Sequence, residues 1–316
     1  RTRARRGALR THIDRLVVYG CAAVGALFAA WSNTSWTNSV EAEVYAIASF
    51  VMGLTTLLAR RWARDPQAPD STGDIYLIIY LLSLGVGFHL GTVLTYPAIA
   101  LYLLLFRKKN FRDLDLVIFS SGFFLFLMHV NLKFSGVPAA LALLLFLLAF
   151  AWRATSRQRF VPVATGLFVL GLSIHLFLLI RSAQQPAIDE ADPQTWSNLL
   201  EVLRREQYPP GNMFVRKASW HFQIVDHFWR YFTEQYELVK PAAGALGRRL
   251  AYVPIFLGLA GMVSMYRTNR RSFLLVFITL LISSLGLIIF LNFSDGTRGV
   301  SAEVRERDYF YSGAFY

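Results

Sequence analysis

The residues FLLVFITLLISSLGLIIF, Phe273–Phe290, decide the fold. Over this run only the hydroxyls of Thr279, Ser283 and Ser284 offer anything to water. A hydrocarbon core about 30 Å thick takes roughly 20 apolar residues to cross, and a helix satisfies its backbone groups internally on the way. The same reading applies to Leu141–Phe150 and to several longer stretches. Across its 316 residues the chain is 55% hydrophobic and 16% charged, against about 25% charged in soluble domains. The fold class expected is an all-α polytopic integral membrane protein.

Working outward, the spans expected are Asp14–Trp31, Val40–Leu58, Ile75–Phe88, Thr92–Phe106, Leu114–Val130, Val137–Trp152, Pro162–Ile180, Leu250–Tyr266 and Ser272–Phe293. That makes about nine transmembrane helices. The stretch Ile75–Phe106 reads as two short helices rather than one long one. Arg60, Arg61 and Arg64 precede it and Arg107, Lys108, Lys109 and Arg112 follow it. A single crossing would put one of those basic loops outside, against the positive-inside rule. Gly85, Gly87, Gly91 and Pro97 supply the breaks a hairpin needs.

The chain then divides into 1–181, a bundle of about seven spans with the short hairpin near 75–106, and 182–249, an extracytoplasmic helical segment. Two further helices over 250–293 and an extracytoplasmic tail over 294–316 complete it. The basic loops are expected in the cytoplasm and the 182–249 segment outside, with the chain in a bacterial inner membrane. Within 182–249, helices are expected over Thr195–Glu206 and Lys217–Tyr236. The second carries Trp220, Ile224, Phe228, Phe232 and Tyr236 every four residues, an aromatic stripe for packing on helix ends or for lipid.

The net charge of +12 does not indicate nucleic acid, because the basic residues come in short bursts between apolar spans rather than on one surface. The one cysteine, Cys21, lies in an apolar stretch and forms no intrachain disulfide. His221, Asp226 and His227 are the nearest approach to a metal cluster, but the two histidines fall on different helix faces. No metal site is assigned. No nucleotide loop or Ser-His-Asp arrangement is present.

Ionisable groups at the end of a span are costly unless paired or wet, so they mark candidate sites. Four groups stand on the outer side. The first is Trp36 with Glu41, Glu43 and Tyr45. Glu41 reads as an ordinary acid at the positive end of a helix, and Glu43 as a carboxylate lining a site. The second is His89, in Gly87-Phe88-His89-Leu90-Gly91, which serves either as a site residue or as a cap on a freed backbone group. The third is Arg181 with Arg204, Arg205, Glu206, Gln207 and Tyr208. A guanidinium there grips a phosphate or snorkels to headgroups. The fourth is Arg305-Glu306-Arg307-Asp308-Tyr309-Phe310, an anion site or a solvated tail. Glu43, His89, Arg181 and at least one of Arg305, Arg307 and Asp308 are expected to converge on one cavity.

Five stretches in order resemble one family. They are Ser35-Trp36 with Val40–Tyr45, Gly87–Leu90, Ile180–Gln184 with Asp192-Pro193, Arg205–Tyr208, and Arg305–Phe310. Together they resemble the protein O-mannosyltransferase-like family of membrane glycosyltransferases, within the GT-C superfamily. The resemblance implies transfer of a sugar such as mannose from a polyprenyl-phosphate-linked donor to an acceptor, protein Ser/Thr, on the extracytoplasmic face. It implies Trp36, Tyr45, His89, Arg181, Arg205, Gln207, Tyr208, Arg305, Arg307 and Asp308 as substrate-binding residues. Members of that superfamily place a catalytic Asp or Glu in the first outer loop. This chain is expected to begin after that loop, so Glu43 is read as lining and the base as lying upstream of Arg1. The partners implied are membrane lipid, a lipid-linked sugar and an acceptor protein, and no nucleic acid. No cofactor is assigned, and a divalent metal is left open. A different class of reading, a non-catalytic subunit of a larger membrane complex derived from such an enzyme, stands beside the transferase. A transporter fits less well, since no charged pair at mid-span and no inverted repeat is visible.

Overall fold

The computed structural model describes residues 12–40, 44–66, 71–106, 122, 141, 160–204, 206, 215–236, 252–296, 311 and 313–314. The described elements are all helical. They are α1 (His12–Ala30), α2 (Asn33–Val40), α3 (Tyr45–Arg64), α4 (Ser71–Phe88) and, after a 3-10 turn at Leu90–Thr95, α5 (Tyr96–Leu105). Helix α6 (Phe160–Leu172) runs through a 3-10 turn, Ser173–His175, into α7 (Leu176–Ser182). Then come α8 (Trp196–Leu203) and α9, which is π-wound over Phe222–Trp229 and α-helical over Arg230–Glu234. Last are α10 (Val253–Thr268) and α11 (Arg270–Leu291), whose Ile282–Gly286 turn is also π-wound.

Among the described residues four helices are long and apolar enough to cross a membrane: His12–Ala30, Ser71–Phe88, Pro162–Ser182 and Arg270–Leu291. The expectation of nine spans is therefore not established. Leu90–Leu105 and Val253–Thr268 are apolar but shorter. The helix expected from Val40 starts instead at Tyr45 and runs on to Arg64, so its last turns carry Arg60, Arg61 and Arg64. The expected spans Leu114–Val130 and Val137–Trp152 lie outside the described residues.

Helices α4 and α6 run parallel. Tyr76 stacks on Phe160 with ring centroids 5.5 Å apart, and further along Gly171 meets Ser83 and Leu84. Further still, Gly87 abuts Ile174. A Cβ on Gly171 would stand 2.8 Å from Leu84 N and 2.9 Å from Tyr80 O, so only glycine permits this backbone approach. In an apolar solvent helices gain little from burying apolar surface, and close van der Waals packing at small residues takes over.

Helix α3 is antiparallel to α4. Arg61 grips Asp74 through Nη2 at 2.9 Å and Nε at 3.1 Å, a bidentate contact at the first turn of α4. Trp62 packs edge-on to Phe106, with centroids 6.5 Å apart, and the Arg271 guanidinium lies 4.6 Å over Phe106. The end of α5 thus returns to the start of α4, and the chain reverses at His89. The bundle core is Leu58, Trp62, Ile75, Ile78, Leu82, Ile99, Tyr102, Phe168 and Leu275 with their neighbours. One end of the bundle carries Arg60, Arg61, Arg64, Arg270 and Arg271; the opposite end carries Tyr45, His89 and Ile174.

The α4–α6 contact makes a direct test. Gly171→Val forces β-branched bulk onto Leu84 N and Tyr80 O and is expected to lower stability by about 1–3 kcal/mol. Gly166→Ala, with nothing within 4 Å of its added Cβ, is expected to be close to neutral. Thermal unfolding of the two variants in one detergent compares them, and equal midpoints would dismiss the close approach.

Candidate functional site

At the end opposite the arginines two of the residues singled out by sequence meet. The rings of Tyr45, in the first turn of α3, and His89, at the reversal, stand 4.9 Å apart and edge to face. His89 has extended backbone and caps the following turn, its Nδ1 accepting the Gly91 N–H at 3.0 Å. Thr92 ties the same turn by donating its hydroxyl to His89 O at 2.9 Å. With Nδ1 serving as acceptor, the proton of the neutral ring sits on Nε2. The ring is held both by its cap and by Tyr45, and an Nε2–H is a donor of the kind that suits an oxyanion or a hydroxyl.

A second layer lies across this end, and its buried register is not that of the aromatic stripe. The buried positions of α9 and the residue after it are Gln223, His227, Tyr231 and Gln235. The expected aromatic stripe is displaced by one residue: Trp220 and Ile224 are exposed, while Phe228, Phe232 and Tyr236 sit half-buried on the flank. Winding explains this. An α-helix overshoots a four-residue step by about 40°, whereas the wider π turn falls short of it, so a helix that uses both keeps a period-four ridge straight. That ridge is polar, and nothing in an apolarity count would have found it.

Its partners come from distant segments. Asn292 ends α11 in the left-handed region, with φ 48°. Its Oδ1 accepts from Lys217 N at 3.0 Å and Gln223 Nε2 at 3.2 Å, and its Nδ2 donates to Val215 O at 2.8 Å. Arg216 donates to the carbonyls of Ile288 and Ile289, each at 3.0 Å. Burial draws the Arg216 guanidinium below its ordinary pKa, while Tyr311 opposes that shift. His227 lies against Phe293, with centroids 4.4 Å apart, and against Tyr311 at 5.8 Å. Tyr311 is fully buried and also touches Phe228 and Tyr231. Leu94, in the turn led by His89, packs on the same cluster. Gly313 wedges between Met52 of α3 and Ser283 of α11. At the far end of α9 the Gln235 carbonyl accepts from Asn33 N at 2.8 Å and its Oε1 from Thr34 N at 3.1 Å, which docks α2. Burial pushes the neighbouring Tyr236 phenol up to about 12.

The other candidates are placed as follows. Trp36 is exposed on α2. Arg181 is exposed at the end of α7, its Nη1 donating to Gln184 Oε1 at 3.1 Å. The connector after it is ordered about Ser182, whose hydroxyl donates to Asp189 at 2.6 Å, with Gln185, Ala191 and Asp192 all at positive φ. Arg204 and Glu206 form an exposed pair at 3.9 Å, an arrangement worth little. Glu41, Glu43, Arg205, Gln207, Tyr208, Arg305, Arg307 and Asp308 lie outside the described residues. His221 pairs with Asp226 at 3.2 Å on the exposed side of α9, away from His227. Among the described residues no three His, Cys, Asp or Glu side chains gather as a metal site.

Residues 3–112 match the family model of the Protein O-mannosyl-transferase TMEM260 N-terminal domain. No curated protein and no solved structure matches the chain. The matched span takes in α1 to α5 and both members of the Tyr45–His89 pair. Of the five stretches that carry the resemblance, the first two fall inside it. The match makes residues 3–112 similar to the N-terminal domain of an O-mannosyltransferase family, and four described helices are long and apolar enough to cross a membrane.

Asn292 is the joint between the second layer and the bundle. Asn292→Ala removes three hydrogen bonds and places an L-residue without a polar side chain at φ 48°. A loss of about 2–4 kcal/mol is expected from the unmade bonds and the backbone cost together. Asn292→Gly keeps the conformation and is expected to recover roughly 1 kcal/mol of it. Limited proteolysis across 215–236 reads both, and equal cleavage rates for wild type and Asn292→Ala would refute the joint.

Proposed function

We propose that the chain is the membrane part of a glycosyltransferase that moves a sugar from a polyprenyl-phosphate-linked donor to Ser or Thr of an acceptor protein. The reaction is assigned to the end of the bundle that holds Tyr45 and His89. The observation that carries this reading is their edge-to-face pairing, inside the matched span, at the end where Tyr311 and the Gln223–His227–Tyr231 ridge are buried. The positive-inside rule puts the opposite, arginine-rich end in the cytoplasm and this end outside.

In this reading the His89 Nε2–H donates to an oxygen of the donor phosphate, where negative charge grows as the sugar departs. Such donors count most when they are oriented before the charge develops. Tyr45 packs edge-on against the ring, and the Gly91 N–H on Nδ1 fixes its tautomer. Glu43 stands two residues before Tyr45 in the chain and supplies a carboxylate near the acceptor hydroxyl. Arg305, Arg307 and Asp308 stand within six residues of the buried Tyr311 in the chain, and they are assigned to donor binding with it. Arg181, with Arg205, Gln207 and Tyr208, is assigned to the lipid phosphate.

The test is transfer by the full-length protein in liposomes holding polyprenyl-phosphate mannose, with a Ser/Thr-rich polypeptide as acceptor. His89→Ala is expected to cut transfer roughly tenfold or more, as loss of an oriented donor does. Tyr45→Phe keeps the ring contact and is expected to stay near wild type, whereas Tyr45→Ala falls with His89→Ala. The double variant is expected to lose no more than the worse single one, since two residues acting as a unit are non-additive. Full activity in His89→Ala sinks the site; no transfer by wild type from any such donor sinks the reaction and leaves the non-catalytic subunit.

A further inference from the structure

Helix α9 has a second face that the site does not use. Trp220, Ile224, Val225 and Trp229 are 49%, 37%, 42% and 47% exposed, large apolar side chains on one flank of a helix whose other flank is buried. On the wider π turn these four positions fall together on one arc, opposite Gln223, His227 and Tyr231. An exposed row of this kind needs an occupant.

The depth of the helix is fixed by its anchor. Arg216 bonds the carbonyls of Ile288 and Ile289, in the last turn of the apolar span Arg270–Leu291, at 3.0 Å each. Lys217 N bonds Asn292, the residue that closes that span. Helix α9 therefore starts at the level where α11 leaves the hydrocarbon. Its inner side lies on Leu287, Ile288, Leu291 and Phe293, so it crosses the end of the span rather than standing away from it. The Arg216 guanidinium sits 4.3 Å over the Trp220 ring, a cation beside an indole at one height. Indole rings favour the headgroup level, where an apolar body and a polar edge are both satisfied. Lys217 stands at the start of the row, and Arg230 at its end pairs with Glu234 at 4.0 Å.

We propose that the Trp220–Ile224–Val225–Trp229 face of α9 lies in the interfacial layer of the leaflet at the His89 end, against phospholipid. The inference rests on the membrane reading but not on the transferase reaction. It gives the polar ridge of α9 its roof: the same helix is anchored in lipid on one side and carries Gln223, His227 and Tyr231 on the other.

The experiment uses the full-length protein in nanodiscs of phosphatidylethanolamine and phosphatidylglycerol, in a Cys21→Ser background otherwise free of cysteine. Nitroxide labels at Ile224→Cys, Asp226→Cys and Leu170→Cys are compared by collision with oxygen and with a water-soluble nickel complex. Leu170, exposed within the apolar span Pro162–Ser182, reports the hydrocarbon. The oxygen-to-nickel ratio at 224 is expected to exceed that at 226 severalfold and to approach that at 170. Adding Trp220→Ala and Trp229→Ala is expected to bring the ratio at 224 down toward that at 226. A label at 224 as open to nickel as one at 226 overturns the proposal, and shielding from both relaxants overturns it in favour of a protein surface. An aqueous reading at 170 would instead refute the membrane reading itself, so the failures are distinct.

Discussion

Everything at the far end of this molecule depends on two helices lying parallel with no room for a side chain between them. Gly171 brings α6 against the backbone of α4 at Tyr80 and Leu84. Parallel neighbours in one bundle oblige the chain between them to come back, and α5 begins that return at His89. The turn itself stays within hydrogen-bonding means, since the His89 ring and the Thr92 hydroxyl satisfy groups the broken helix frees. From that one register follows the sorting of charge. Arg61, Asp74 and Arg271 collect at the end where α4 begins, and the end where α4 stops is left to aromatic and amide groups.

That sorting makes the far end a place where chemistry can be held. Charged side chains inside a bilayer are expensive unless paired, and the described polar groups here are mainly neutral: amides, phenols and imidazoles in contact with one another. Gln223, Asn292 and Gln235 each bridge backbone of one segment to another. A network of this type fixes geometry, because each member is bound from more than one direction. His89 is fixed in the same manner, by its own cap and by Tyr45. A donor held this way is already oriented when negative charge appears.

Much of this was legible in the sequence, and what was missed has a physical cause. Phe273–Phe290 announced a span, and the arginine runs on either side of Ile75–Phe106 announced the reversal at His89, because hydropathy and loop charge act locally. Tyr45 and His89 were each visible as polar groups at span ends. Their meeting was not, since it depends on α3 and α4 pairing in register through Arg61 and Asp74. The run of α3 on to Arg64 rather than Leu58 also escaped, because arginine stems can extend a helix past its apolar stretch by snorkelling.

The buried ridge of α9 shows where pattern reading stops. Trp220, Ile224, Phe228, Phe232 and Tyr236 are the most apolar residues at that spacing, and a lone helix would bury them. Here the bundle offers a mixed surface: Leu287 and Ile288 below, but also the Asn292 amide, the Phe293 carbonyl and the buried Tyr311. A polar ridge meeting polar partners gains hydrogen bonds that an aromatic ridge would forfeit, and an unmet buried amide costs more than an exposed indole at an interface. The helix accordingly turns its amides and imidazole inward and its indoles outward, and the π winding keeps the inward row aligned. The choice of face was made by what α11 and the tail present, which no window of residues 217–236 contains.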